Sequence, residues 1–306
     1  MRILETLNPH ALDCLAVGRL GHVAAGSAER GGLTVWEMPD GRVLRAEPAD
    51  GGLRVLAFAP DGRLFRSRPG FEPEPIDLRE DRTGERIMQP GSLAYARLIV
   101  AARADRFVAA YSFPEHGELK GGDVRADGFR ERWKEDIPTW FAWFTCPAMD
   151  PEGGVVVTYA CRSYTFKREY LLTVHDGGTG ARLGEVPWTG RGDAMQAAIP
   201  AGGGRVFVRL HGRRMLPCLL LPSGEPAGEL RCPGPRRFTA VAAHPTRRLV
   251  GTTDTAGVAR LWDADSLRLL GALDLGLGRL ESLAFSPCGA FAAAGGLGRV
   301  AVWDLD

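Results

Sequence analysis

The sequence predicts an all-β chain: one domain of about seven repeated units built from short strands. Three observations predict it. The chain holds 40 Gly and 21 Pro, 61 of its 306 residues, which calls for many turns between short elements. An apolar strand ending in Trp-Asp occurs twice, as Gly257-Val258-Ala259-Arg260-Leu261-Trp262-Asp263 and Gly298-Arg299-Val300-Ala301-Val302-Trp303-Asp304, with the tryptophans 41 residues apart. Upstream of each lies an apolar strand that ends in a Pro turn, and Pro200, Pro245 and Pro287 are spaced by 45 and 42 residues. A fixed period of this size marks a repeat architecture.

The elements follow in chain order. Arg2–Thr6 is a short strand. Leu33-Thr34-Val35-Trp36-Glu37 is a weaker copy of the Trp strand, and the 226 residues from Trp36 to Trp262 make five steps of about 45. Leu56-Ala57-Phe58-Ala59-Pro60-Asp61-Gly62 matches Leu283-Ala284-Phe285-Ser286-Pro287-Cys288-Gly289, with Val241-Ala242-Ala243-His244-Pro245 and Ala197-Ala198-Ile199-Pro200 as looser copies. Innermost strands are expected near Leu12, Leu53, Leu93, Trp140, Ala194, Phe238 and Leu280, giving units 12–50, 53–90, 93–136, 140–190, 194–233, 238–275 and 280–306. The third unit carries a polar, Gly-containing loop at Glu115–Asp123. Trp133 to Phe144 holds five aromatics. The alternation of Tyr164 and Phe166 within Cys161–Glu169 lengthens a hairpin of the fourth. The last unit has three strands, so Arg2–Thr6 is expected to supply its fourth, which would remove an exposed edge.

These residues resemble the WD-repeat family of β-propellers in a degenerate, bacterial-type form. The resemblance is strong over 236–306 and weaker over 12–64, and period alone carries it through 65–235. It implies a single seven-bladed β-propeller of four-stranded antiparallel blades, closed by the N-terminal strand. It also implies structural roles for Trp36, Trp262, Asp263, Trp303 and Asp304. The family's Gly-His positions read Gly278-Arg279 and Pro235-Arg236 here, and its turn-Asp positions read Leu297 and Ala256, with Asp254 nearby. Apolar packing and backbone pairing are therefore expected to hold the blades.

No catalytic constellation accompanies the repeats. The six histidines, His10, His22, His116, His175, His211 and His244, show no metal-ligand spacing. The six cysteines form no C-x-x-C. There is no G-x-S-x-G elbow, and Gly202-Gly203-Gly204-Arg205 precedes a strand where a phosphate cradle needs a helix. The chain reads as a non-enzyme with no cofactor and no metal. It shows no secretory signal and no apolar run of membrane-spanning length, so the cytoplasm is the expected compartment. Thirty-eight basic against 37 acidic residues leave a net charge of +1, which gives no global electrostatic reason to bind nucleic acid or an anionic membrane. Of the basic residues, 35 are Arg.

In the family, the loops that lead into each inner strand share a face with the loops between second and third strands, and that face is the usual docking surface. Here the resemblance assigns to it Arg66, Arg68, Arg162, Lys167, Arg168, Arg191, Arg213, Arg214, Arg236, Arg237 and Arg279. Few acids accompany them, Asp193 and Asp254 being the main ones. Guanidinium groups suit bidentate recognition of carboxylate or phosphate. Trp133 and Trp140 are candidate aromatic anchors. The expected function is a non-catalytic scaffold presenting loops to a protein or peptide. Two alternatives stay open: a sensor module of a bacterial regulatory or defence assembly, and a binder of an anionic, acidic or phosphorylated ligand or nucleic acid through the Arg-rich face.

Overall fold

A computed structural model describes residues 1–6, 10–27, 31–48, 55–58, 62–67, 74–76, 95–100, 105–112, 116–125, 128–138, 142–144, 147–164, 167–188 and 194–305. Strand β1 (Arg2–Glu5) is followed by β2 (Cys14–Val17), β3 (His22–Ser27), β4 (Gly31–Glu37) and β5 (Arg42–Glu47), which form one antiparallel sheet in that order. The next sheet holds β6 (Val55–Phe58), β7 (Leu64–Ser67) and β8 (Glu74–Ile76). Then come β9 (Tyr95–Val100), β10 (Arg106–Ser112), β11 (His116–Arg125) and β12 (Gly128–Pro138). The fourth sheet contains β13 (Ala142–Phe144), β14 (Ala148–Met149), β15 (Val155–Tyr164), β16 (Lys167–Asp176) and β17 (Arg182–Trp188), with β13 and β14 both pairing β15.

Three regular sheets complete the chain. The first is β18 (Ala194–Ala198), β19 (Arg205–Leu210), β20 (Met215–Leu220) and β21 (Pro226–Arg231). The second is β22 (Phe238–Ala243), β23 (Leu249–Asp254), β24 (Val258–Asp263) and β25 (Leu269–Asp274). The third is β26 (Ser282–Phe285), β27 (Phe291–Gly295) and β28 (Arg299–Asp304), with β1 antiparallel to β28 in the register Arg2↔Val302 to Glu5↔Arg299.

The expectation of seven four-stranded blades is corrected. Six sheets have four strands or more, while among the described residues the β6–β8 sheet has three. Residues 77–94, on which the expected fourth strand of that unit falls, lie outside the described residues. A second correction concerns Glu115–Asp123, read as a loop. Most of it is strand β11, paired along ten residues with β12. Gly121 is there because the Trp133 ring lies where its Cβ would be. The apolar surface comes from across the ladder, so β11 shows no alternation of its own.

The core is a series of clusters between neighbouring sheets. Second strands are buried on both faces, as in β3, β23 and β27, because each is sandwiched between blades. Their Ala-rich runs, such as Ala292-Ala293-Ala294, allow close approach. The repeat tryptophans face the preceding sheet in each case. Trp36 packs with Leu4, Ala293 and Val300. Trp262 packs with Phe207, Leu216 and Phe238, and its Nε1–H donates to Thr252 Oγ1 at 2.8 Å. Trp303 lies against Leu277 and Ala240 in the cluster between the last two sheets. Burying such a side chain contributes roughly 1.5–3 kcal/mol.

Candidate functional site

Consecutive antiparallel strands alternate direction, so turns between second and third strands lie at the same end as the links into the next sheet. Backbone hydrogen bonds lace these turns together. Cys232 N–H donates to Arg214 O at 2.8 Å, joining the β19–β20 turn to the link before β22. Thr255 N–H donates to Arg237 O at 3.1 Å, and Leu275 N–H donates to Gly257 O at 3.2 Å. The Arg237 guanidinium lies 3.6 Å from where a Gly212 Cβ would be, so residues 211–214 and 232–237 form one continuous surface.

Asp254 is the fixed point beneath this surface. It is fully buried at the end of β23 and accepts from Ala256 N–H at 2.8 Å, Val258 N–H at 3.1 Å and Arg260 Nη1 at 2.6 Å. Burial disfavours its charge, but the bonds from Arg260, Val258 and Ala256 outweigh burial and hold the carboxyl below the ordinary range. Arg236 Nη1 stands 3.8 Å away on the solvent side. Gly257, at φ 86°, closes the turn with its N–H on Asp254 O. A single carboxylate thus caps the turn, neutralises buried Arg260 and orients Arg236. Sequence reasoning placed the turn Asp at Ala256; the signal that finds it is Asp254-x-x-Gly257.

Above Asp254 the surface is basic. Arg213, Arg214, Arg237 and Arg279 are exposed and Arg236 is half-buried. Arg279 pairs with Glu281 at 2.5 Å, whereas Arg214 and Arg237 make no ion pair with a described carboxylate. At the opposite end Arg248 is held bidentately by Asp265 at 2.6 and 2.7 Å. The family motif acids also lie away from the basic turns. Asp263 caps its own turn through Ser266 N and Oγ, both at 2.7 Å, and Asp304 is exposed at the end of β28.

The other candidates scatter. Arg66 is buried and ion-paired with Glu47, so it is withdrawn from any docking face; a partner 19 residues earlier gave no local sign of this. Arg162, Lys167 and Arg168 fall at the tip of the β15–β16 hairpin, where pairing runs out to Tyr164↔Lys167, and only their backbone is described. Arg68, Arg191, Asp193 and Trp140 lie outside the described residues. Trp133 is buried: its Nε1–H donates to Gly177 O at 3.2 Å and its ring stacks on His175, so it belongs to the interior and not to an anchor. Among the described residues no group of three His, Cys, Asp or Glu could hold a metal ion, and no helix is long and apolar enough to cross a membrane.

One solved structure carries the comparison. The crystal structure of the Myceliophteria thermophila Cps50 (Swd1) β-propeller domain is similar to this chain at a TM-score of 0.72 and 15% identity, covering 100% of this chain and 99% of that one. The fold is a β-propeller. No family model matches the chain, and no curated protein does. The propeller accounts for the lacing of the turns, since sheets set side by side bring the links between them to a common end.

Proposed function

We propose that the chain is a non-catalytic interaction scaffold. It presents the turns at 211–214 and 232–237 to an acidic segment of a protein partner. The observation that carries this reading is the pair of exposed guanidiniums at Arg214 and Arg237. They sit on turns joined by backbone bonds and lack described carboxylates, while Arg248 at the other end is neutralised. The resemblance of the repeats to WD-repeat propellers supports it, as does the similarity to a solved propeller domain. Preformed turns reduce the ordering cost of binding, and Arg forks match carboxylates bidentately.

The test is affinity capture from the native host with the tagged full chain and with Arg214→Glu/Arg237→Glu. A stoichiometric partner is expected with the wild type, and its recovery falls about tenfold or more in the variant because like charges then meet across the interface. Equal recovery by both chains overturns the assignment of this face.

A further inference from the structure

Among the described outer strands, those other than β25 carry charges or prolines that guard against edge-to-edge pairing. Strand β5 carries Arg42, Arg45 and Glu47, and β12 carries charges from Arg130 to Asp136. Strand β17 has Arg182, Glu185 and Pro187, β21 has Pro226, Glu229 and Arg231, and β1 is bounded by Arg2 and Glu5. Charges and prolines are the usual protection of a free edge. Strand β25 reads Leu269-Leu270-Gly271-Ala272-Leu273-Asp274, without a charge or proline until its last residue, and all six positions are exposed. Leu269, Leu270 and Leu273 are 43%, 55% and 39% accessible. Its irregularity at Leu270 does not set it apart, because β5, β17 and β21 shift register at the equivalent point. Beside β25 a groove of about 240 Å³ opens toward the last sheet, lined by Gly271, Ala272, Leu273, Phe285 and Trp303.

We infer that β25 is the self-association edge of this protein and that its occupant is β25 of a second copy, paired antiparallel about a two-fold axis at Gly271. The sequence around Gly271 is self-complementary in this register. Arg268 stands opposite Asp274 of the second copy, Leu269 opposite Leu273, and Leu270 opposite Ala272. Two-fold symmetry makes every pair occur twice, so the strand would be bounded by two Arg–Asp pairs with six leucines between them. Ala272 lines the groove, so this register sets Leu270 of the second copy at its mouth. Arg268 is exposed and makes no ion pair with a described residue, and the hydrogen bond of Asp274, from Gly276 N–H at 3.0 Å, leaves its second oxygen for the pairing. Pairing supplies the backbone partners that β25 lacks on its outer side, and it covers three exposed leucines on one strand, where β1, β5 and β17 each expose a single large apolar side chain among charges, Ile3, Val43 and Leu183.

Sedimentation of the full chain over a concentration series tests this. The wild type is expected to reach twice the 33.0 kDa mass of one chain. Arg268→Asp sets acid against acid at both ends and raises the dissociation constant about tenfold or more, and Arg268→Asp/Asp274→Arg restores it because the opposite charges are exchanged. Leu270→Lys, which installs the guard present on the other edges, gives a monomer with unchanged circular dichroism. A monomer at every concentration up to roughly 100 μM overturns the inference. So does a dimer that neither single substitution weakens, or one that the double substitution fails to restore. The residues tested are separate from Arg214 and Arg237, so this result stands apart from the test of the basic face.

Discussion

Asp254 concentrates the chemistry of its blade in one side chain. It satisfies two backbone donors and a buried guanidinium at once, and it leaves its outer side to Arg236. Removing it strands Arg260, which is 5% exposed, without a counter-charge. Breaking a buried pair by deleting one partner typically costs about 3–5 kcal/mol. Asp254→Ala is therefore expected to lower unfolding stability by about that amount, measured by urea titration; a loss below about 1 kcal/mol would show that water replaces the carboxylate freely. The residue's role was half legible. Its neighbourhood stood out as a turn, but the family position pointed to Ala256, because only coordinates show which oxygen reaches the N–H groups two and four residues on. The period marks Trp36 and Trp262 as large apolar side chains that have to pack against a neighbouring repeat, whereas Trp133, expected as an anchor, is held in the interior by a partner on the next sheet. Arg66 was not legible, because its partner Glu47 is brought in by the sheet.

At the scale of elements, the turn leaving β22 is clipped to the β26–β27 turn by His244. Its Nδ1 accepts from Thr246 N–H at 3.2 Å and Arg247 N–H at 3.0 Å, which leaves Nε2–H to donate to Gly289 O at 3.0 Å. Burial pushes this histidine below its ordinary 6.5, against the opposing pull of the Gly289 carbonyl. His175, buried beside Glu135 and Trp133, is shifted the same way by the same cause. Because the folded state resists protonation, stability is unaffected above about 6.5 and is lost as pH falls below it. Each histidine can contribute at most about 1.4 kcal/mol per pH unit. The melting temperature is expected to drop between pH 7 and 5, and His244→Gln should reduce that drop while lowering the value at pH 7. An unchanged pH slope would remove His244 from the account. Elements at the sheet interiors were readable from apolar runs. Strands β11 and β12 were not, because one is rich in polar residues and Gly and the other is charged, and they meet through Gly121 and Trp133 rather than through alternation.

For the whole molecule, a near-zero net charge does not prevent a local gathering of arginines. Arg214 and Arg237 face solvent from adjoining turns at one end of the sheets, while at the other end Arg248 is held by Asp265 and Arg268 is exposed without an ion pair to a described residue. The β-propeller makes this possible by gathering turns that are distant in sequence. Residues 211–214, 232–237 and 255–257 belong to two sheets and three separate turns, yet hydrogen bonds join them directly. The sequence alone carried the all-β propeller class through its period but not seven four-stranded blades, and it offered the basic face as an expectation from the positions of its turns. It could not carry which arginines are already paired, because pairing depends on contacts across sheets. Hydrogen–deuterium exchange of the chain, alone and with its captured partner, tests the central claim most directly. Slowed exchange confined to the turns at 211–214 and 232–237 is the expected result. Protection that spares both turns would contradict the assignment of this face.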